Sequence, residues 1–165
     1  MTDLEVHDVP AAVDRDEWRL RVTGAVDAPT AFDRGDLESL PAETYTADFA
    51  CVEGWVAEDL AWRGVRVRDL LSQAGPTGAA SHALVHAMDG EYACSFPLDR
   101  LADAVLAVGL DGDPLPVEHG GPARLVPTGD ADCWESVKWV DRVDVRESRP
   151  DDEDTAESIA LSRVE

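Results

Sequence analysis

The chain has 165 residues, and its 35 acidic side chains outnumber its 14 basic ones, which gives a formal net charge of -21. This charge excludes the basic surface that nucleic acids and anionic membranes require. No apolar run approaches the roughly 20 residues of a membrane-spanning helix, and residues 1–10 lack the pattern of a signal peptide. We therefore expect a cytoplasmic protein that neither binds nucleic acid nor inserts into a membrane.

The positive charge is almost entirely arginine, because Lys138 is the only lysine in the sequence. Repulsion among the acidic side chains destabilises a compact chain at low ionic strength. Screening weakens this repulsion once the Debye length falls to about 3 Å near 1 M salt. We interpret the composition as a halophilic adaptation to a salty cytoplasm; the alternative is an acidic surface without a special cause.

Short strands and brief helices are predicted along the first half of the chain. Apolar residues at every second position indicate strands, and apolar residues three or four apart indicate helices. The predicted elements are, in order, a strand over residues 18–24, a helical turn over 36–40, a strand over 45–51, a turn at 62–65 and a helix from Val67 to Gly75.

The second half begins with a predicted hairpin whose turn is Asp89-Gly90, a pair that favours two-residue turns. The elements after it are a helix from Pro97 through Val105, a turn at Asp111-Gly112, and strands over residues 124–126 and 137–145. Strands dominate, so we predict one strand-rich, mixed α+β domain over residues 1–146. Residues 147–165 form an acidic stretch that we expect to be a loosely ordered tail, with a helical turn over 156–164 capped by Thr155.

Cys51 ends the strand over residues 45–51 on the same face as Tyr45, Ala47 and Phe49. A free cysteine on an apolar face is usually a small core residue. A buried thiol at a strand end is also placed to become a soft metal ligand. The strand alone leaves both interpretations open.

A second chemically distinctive stretch runs from His119 to Arg124 and contains two consecutive glycines. Glycine lets a backbone approach a ligand closely, and arginine grips a phosphate with two parallel hydrogen bonds. Lys138 follows fourteen residues after Arg124. The retention of this single lysine indicates that an ammonium group is needed there, unless it is a surface residue kept by chance.

These stretches belong to a series of motifs in a fixed order. They are Cys-Val-x-Gly-Trp at 51–55 with Trp-x-Gly-Val at 62–65 and Asp-Leu-Leu at 69–71, Asp-Gly-x-Tyr at 89–92 before Pro-Leu, His-Gly-Gly-Pro-x-Arg at 119–124, and Ser-Val-Lys-Trp at 136–139. From about His7 to Val145, the chain resembles the molybdopterin-binding domain of the sulfite oxidase family. It is most similar to short single-domain members and to the molybdenum-dependent methionine sulfoxide reductase catalytic subunit.

The resemblance implies a molybdopterin cofactor, whose dithiolene holds molybdenum, and a protein thiolate that falls on Cys51 as metal ligand and catalytic residue. The family's remaining cofactor contacts fall on residues spread along the whole domain. They are His7, Asp89, His119, Arg124, Ser136, Val137 and Lys138.

Two acidic residues depart from the family pattern. Glu5 stands where relatives carry arginine, and Glu135 stands where relatives often carry a basic residue. Each exchange is expected to repel a phosphate by about 1 kcal/mol at an effective dielectric constant near 20.

The resemblance implies an oxidoreductase that transfers an oxygen atom to or from a small sulfur-containing substrate, either sulfite-like or a sulfoxide. The sequence has no haem or flavin motif, so electrons would pass through a separate partner. Arg63, Arg66 and Arg68 are candidates for holding an anionic substrate. Two alternatives remain open: a cofactor-binding or carrier module, and an interaction domain that keeps the fold without a metal.

Overall fold

The computed structural model describes residues 18–50, 56–128, 133–150 and 154–162. Within these ranges the chain forms ten strands and four α-helices. The strands are β1 Leu20–Gly24, β2 Thr30–Phe32, β3 Ala42–Ala50, β4 Val56–Arg66, β5 His82–Ala87, β6 Ala93–Pro97, β7 Val105–Leu110, β8 Asp113–Pro114, β9 Arg124–Val126 and β10 Val140–Arg146. The helices are α1 Arg34–Glu38, α2 Val67–Ala74, α3 Leu98–Ala102 and α4 Ala156–Ser162, and two 3-10 helices cover Val117–His119 and Cys133–Glu135. The strand-rich α+β class expected from the sequence is confirmed.

The first sheet has the strand order β2-β1-β10-β5-β6. β1 and β10 are parallel, and the other neighbours are antiparallel. Val22, Val143, Val85 and Cys94 lie side by side across four strands, and all four are buried. Their row forms one layer of the main core.

The second sheet has the order β3-β4-β7-β8, and β9 also pairs with β7. Its two faces contact different apolar clusters, as side-chain alternation along a strand requires. Val65 and Leu106 pack into the main core, whereas Val105 and Ala107 belong to a second cluster with Trp62. The second face is the one that carries the site described below.

The helices are short and cover the main core. Asp33 caps α1 through a capping box, since its carboxylate accepts from the Asp36 backbone N–H and the Asp36 carboxylate accepts from the Asp33 N–H. α2 presents one apolar stripe to the core and ends at Gly75, whose φ of 72° suits glycine. The buried residues of α2 are Val67, Leu70, Leu71 and Ala74.

Three predicted elements differ in the structure. Residues 62–65 are not a turn but part of β4, where a Cβ on Gly64 would come within 2.0 Å of the Leu106 carbonyl oxygen. Glycine is therefore needed here for close strand approach. The helix after Pro97 ends at Ala102, because Val105 already pairs with β4 and β9. The last strand begins at Val140 rather than Val137, after Trp139 adopts a φ of 54°.

Part of the acidic tail is attached to the domain. The Asp154 carboxylate accepts hydrogen bonds from the Ser95 N–H and hydroxyl. The Thr155 hydroxyl donates to the Glu91 carbonyl oxygen and accepts from the Ala93 N–H. Ala156 at the start of α4 is fully buried. These contacts attach residues 154–156 to β6, while the division of the chain into a domain over residues 1–146 and a loosely ordered tail over residues 147–165 stays a prediction.

Among the helices in the described part of the chain, none is both long enough and apolar enough to cross a lipid bilayer.

Candidate functional site

The loop between β8 and β9 turns sharply at two glycines. Gly120 follows the 3-10 helix Val117–His119 with a φ of 111°. A Cβ there would lie 3.0 Å from Lys138 Cγ and 3.1 Å from Arg124 Cβ. A Cβ on Gly121 would lie 2.2 Å from the Leu115 carbonyl oxygen. The two glycines therefore let three basic residues, His119, Arg124 and Lys138, converge, and we call these three the basic cluster.

Arg124 is the most deeply placed member of the basic cluster. Its side chain, on β9, is 2% exposed. The guanidinium carbon lies 4.9 Å from the centroid of the Trp62 ring, and Nη1 donates to the His119 carbonyl oxygen at 3.1 Å. A buried guanidinium in a cation–π contact is a strong fixed positive charge. The sequence did not predict the Trp62 contact, because it depends on how β4 and β9 each pair with β7.

Lys138 and His119 lie beside Arg124. Lys138 Nζ donates to the Glu118 carbonyl oxygen at 3.3 Å and lies 5.6 Å from the centroid of the Trp139 ring. Burial and then the Lys138 charge hold the pKa of His119 below its ordinary 6.5, with Arg124 adding to the effect. His119 is therefore neutral at pH 7, and its Nδ1 is buried without a hydrogen-bond partner.

The segment Ser136–Lys138 is held against the glycine loop by backbone hydrogen bonds. The Leu125 N–H donates to Val137 O at 2.9 Å, and the Trp139 N–H donates to Gly120 O at 3.0 Å. Val137 is fully buried. Ser136, Val137 and Lys138 are thus brought beside His119 and Arg124, as the order of the motifs suggested.

Trp139 keeps its positive φ because three hydrogen bonds fix it. The Trp139 backbone N–H donates to Gly120 O, as described above. The Trp139 carbonyl oxygen accepts from the Met88 N–H at 2.8 Å, and the indole N–H donates to Val117 O at 2.7 Å. A non-glycine residue in this region costs about 1–3 kcal/mol, and such strain is typical of functional sites.

The Met88 bond also ties the β5–β6 hairpin to the site. Asp89 follows Met88 in the turn, where its Oδ1 accepts from the backbone N–H groups of Glu91 and Tyr92, both at 2.9 Å. The turn therefore fixes Asp89 next to the segment that carries Lys138. The role of each predicted site residue in cofactor binding stays a prediction.

Glu135, which we expected to repel a phosphate, is paired. Its carboxylate is hydrogen-bonded by both terminal nitrogens of Arg100 on α3, with Arg100 Nη2 3.0 Å from Glu135 Oε1. The pair offsets the repulsion that we expected from Glu135. Arg100 was missed in the sequence, since it lies 35 residues before its partner and belongs to no motif.

Two predicted residues, His7 and Cys51, lie outside the described residues, as does Glu5. β3 ends at Ala50, directly before Cys51. Tyr45 packs against the cluster that contains its cross-strand neighbour Trp62, the residue that contacts Arg124. Tyr45 of β3 and Arg124 of β9 therefore lie on the same face of the second sheet.

The candidate substrate arginines lie elsewhere. Arg66 is paired with Glu43, and Arg68 is paired with Asp103. Arg63 is exposed and, as the neighbour of Trp62 in β4, projects from the opposite face of the sheet. None of these three therefore faces the basic cluster, and since Cys51 lies outside the described residues, their position relative to the metal stays a prediction.

The described part of the site suits an anionic ligand with a polar edge. It offers two fixed cations, a neutral imidazole with an unpartnered buried nitrogen, and a backbone approach that side chains at the two glycines would close. Charge-assisted hydrogen bonds from arginine and lysine are those that phosphate groups receive in proteins.

Comparison with known families gives an independent view of the same residues. Residues 6–153 match the model of the oxidoreductase molybdopterin binding domain. The match includes the whole described site and the positions of His7 and Cys51.

Among curated proteins, the chain is 37% identical to the uncharacterized oxidoreductase YuiH of Bacillus subtilis (strain 168), over 83% of this chain and 69% of that protein. It is 30% identical to human mitochondrial sulfite oxidase over 81% of this chain, and 27% identical to an NADPH nitrate reductase of Fusarium oxysporum over 87%. The chain spans only 30% of that sulfite oxidase and 19% of that nitrate reductase.

Among solved structures, the sulfane dehydrogenase SoxCD from Paracoccus pantotrophus superposes with a TM-score of 0.78 at 27% identity. The alignment covers 84% of this chain and 40% of that chain. The fold expected from the motif order is therefore confirmed.

Proposed function

Because this chain belongs to the oxidoreductase molybdopterin-binding domain family of the sulfite oxidases, we propose that it is a molybdopterin-dependent oxidoreductase that transfers an oxygen atom to or from a small sulfur-containing substrate. The observation that carries the proposal is the contact of Arg124 with Trp62, which fixes a buried cation beside His119 and Lys138. Membership of the family supports the reaction class, and the basic cluster supports the cofactor.

The residues of the site have distinct roles in this proposal. Arg124 and Lys138 would bind the terminal phosphate of the cofactor, and His119, neutral at pH 7, would share a hydrogen bond through Nδ1. Ser136 and the Val137 backbone, with Asp89 and His7, would hold the polar edges of the pterin. The Cys51 thiolate would bind molybdenum, a soft-ligand assignment that rests on the motif.

The protein's own contribution is binding and orientation. When bound, the cofactor supplies the redox chemistry of oxygen-atom exchange. Fixed charges in a buried site need no rearrangement on binding, because Trp62 and the glycine loop already hold Arg124. A neutral substrate such as a sulfoxide suits this protein better than the sulfite anion, because a net charge of -21 repels anions. The electron partner would be a separate protein, and a cytoplasmic location stays a prediction.

The proposal is tested by purifying the protein at high salt from a host that makes molybdopterin. Molybdenum is measured by mass spectrometry, and the released pterin is measured by fluorescence. We expect both in near-stoichiometric amounts, and Cys51→Ser is expected to keep the pterin but to retain less molybdenum than the wild type. Turnover of a sulfoxide with a reduced dye, or of sulfite with an oxidised dye, then identifies the direction of transfer.

The same measurement separates the alternatives. Pterin without molybdenum in the wild type would indicate a carrier module. Neither component, in a host that loads a known relative, would contradict both cofactor interpretations. The negative charges of Glu5 and Glu135 favoured these alternatives, and the ion pair with Arg100 offsets the charge of Glu135.

A further inference from the structure

The segment Ser136–Lys138 is fixed differently at its two ends. Toward the C-terminus, backbone hydrogen bonds to Gly120 and Ala123 attach it to the glycine loop and β9. Toward the N-terminus it continues from the 3-10 helix Cys133–Glu135. That helix borders an open cleft of about 630 Å³ whose far wall includes Glu157 and Leu161 of α4. On the side of this cleft the 3-10 helix faces open space between itself and α4.

The 3-10 helix packs its Trp134 side chain against the main core, and two polar contacts add direction to this packing. The Tyr92 hydroxyl donates to Trp134 O at 2.6 Å. Glu135, the residue directly before Ser136, forms the two-pronged ion pair with Arg100. A guanidinium that binds both carboxylate oxygens fixes direction as well as distance.

The backbone that carries Arg100 is anchored in the main core, while the Arg100 side chain itself is 36% exposed. Arg100 lies on α3, where its neighbour Leu101 is fully buried. Its guanidinium carbon is 5.7 Å from the centroid of the Phe96 ring, which is itself buried. The Glu135 side chain is 11% exposed, so salt screens this pair less than the exposed pair between Arg68 and Asp103.

We propose that Arg100 is a positioning residue for the cofactor. Through Glu135 it holds the start of Ser136–Lys138 in the geometry that presents the Ser136 side chain, the Val137 backbone and the Lys138 ammonium to the ligand. This role deepens the proposed function and rests on it for the identity of the ligand. The restraint itself belongs to the protein alone and exists without the cofactor.

The first test uses the cofactor-free protein and amide hydrogen exchange. In Arg100→Gln, exchange at residues 134–138 is expected to accelerate at least about tenfold over wild type, as a restrained segment that opens locally does, while exchange in β5 stays unchanged. Arg100→Lys keeps the charge with a single contact and is expected to lie between the two. The exchanged pair Arg100→Glu with Glu135→Arg is expected to restore slow exchange. Unchanged exchange in Arg100→Gln would overturn the proposal.

The second test measures how fast molybdopterin leaves the loaded protein at a temperature well below unfolding. Loss of a partner that orients a ligating residue typically weakens binding by about 10- to 100-fold, so release from Arg100→Gln should accelerate by a similar factor. Arg68→Gln is the matched control for an ion pair away from the site, and Leu37→Ala on α1 is the control for lower stability. Equal release from Arg100→Gln and Leu37→Ala would reduce Arg100 to a structural role and overturn the proposal.

Failure of this inference is distinguishable from failure of the proposed function. If wild type binds no molybdopterin, the proposed function is wrong, and the positioning role falls with it even if the exchange result stands. If wild type binds molybdopterin and Arg100→Gln keeps it equally well, only the positioning role is wrong.

Discussion

The guanidinium of Arg124 stacks on the ring of Trp62, with 4.9 Å between the guanidinium carbon and the ring centroid. Trp62 lies in β4 and Arg124 in β9, and neither strand pairs with the other, since both pair with β7. The contact therefore depends on the register in which β4 and β9 each pair with β7. It also converts a flexible side chain into a fixed charge beside His119 and Lys138.

Arg124→Met should separate cofactor binding from folding. Methionine keeps the apolar packing on Trp62, and replacing a buried charge by an apolar side chain is often close to neutral, so we expect the free energy of unfolding to change by about 1 kcal/mol. A charge-assisted hydrogen bond is worth about 1.5–3 kcal/mol, so molybdopterin affinity should fall roughly 10- to 100-fold. Denaturant unfolding and pterin release measure the two effects. Arg34→Met, the same change at an exposed arginine of α1, should leave both unchanged; wild-type affinity in Arg124→Met would contradict the assignment.

Gly120→Ala should lower the stability of the folded protein, whereas Gly78→Ala should not. The φ of 111° strains any residue with a Cβ, and this Cβ would lie 3.0 Å from Lys138 Cγ, so the Lys138 and Arg124 side chains would have to shift. We expect a loss of about 1–2 kcal/mol from the backbone conformation alone, with displacement of Lys138 and weaker cofactor binding. Gly78→Ala is the matched control, because a Cβ there meets no atom within 4 Å. If the two variants have the same thermal midpoint, the close packing of the glycine loop is not as described.

Asp141→Asn should change the pH dependence of stability. Burial raises the pKa of Asp141 above its ordinary 3.8, and the charge of Asp89 raises it further, although Arg21 and Arg142 oppose the shift. The folded state therefore holds this proton to higher pH than the unfolded state does. The resulting stability is present below pH 3.8 and is lost as pH rises through the folded-state value. Asparagine removes that loss, so the variant should melt above wild type at pH 7, by a margin that shrinks as pH falls toward 3.8. A constant margin at all pH values would contradict the pKa shift.

The net charge of -21 predicts a strong response to salt. Screening at about 1 M salt shortens the Debye length to about 3 Å, which weakens repulsion among exposed carboxylates. The thermal midpoint should therefore rise steeply from dilute buffer to molar KCl. A flat response would contradict the halophilic interpretation.

The elements fixed by local chemistry were predictable from the sequence. The hairpin around Asp89-Gly90 and the end of α2 at Gly75 depend on neighbouring residues, and both occur where expected, although the hairpin loop is longer than the predicted two-residue turn, since β5 ends at Ala87 and β6 begins at Ala93. The motif order also indicated that His119, Arg124 and Lys138 belong together, and the structure places them side by side.

Features that depend on distant residues were not predictable. Gly64 suggested a turn, yet it serves the close approach of Leu106 from β7 at a shift in strand register. The ion pair between Arg100 and Glu135 joins residues with no common motif, so Glu135 alone suggested repulsion. The acidic composition of residues 147–165 did not indicate that Asp154 and Thr155 form hydrogen bonds with β6.

The central claim is that the chain holds molybdenum through Cys51 and a pterin bound at the basic cluster. X-ray absorption at the molybdenum edge tests it most directly, on the loaded wild type and on Cys51→Ser prepared from the same host. We predict that the molybdenum retained by Cys51→Ser has one sulfur neighbour fewer than the molybdenum of the wild type. The pterin is expected to stay bound in the variant. An identical sulfur count in loaded wild type and variant would contradict the account.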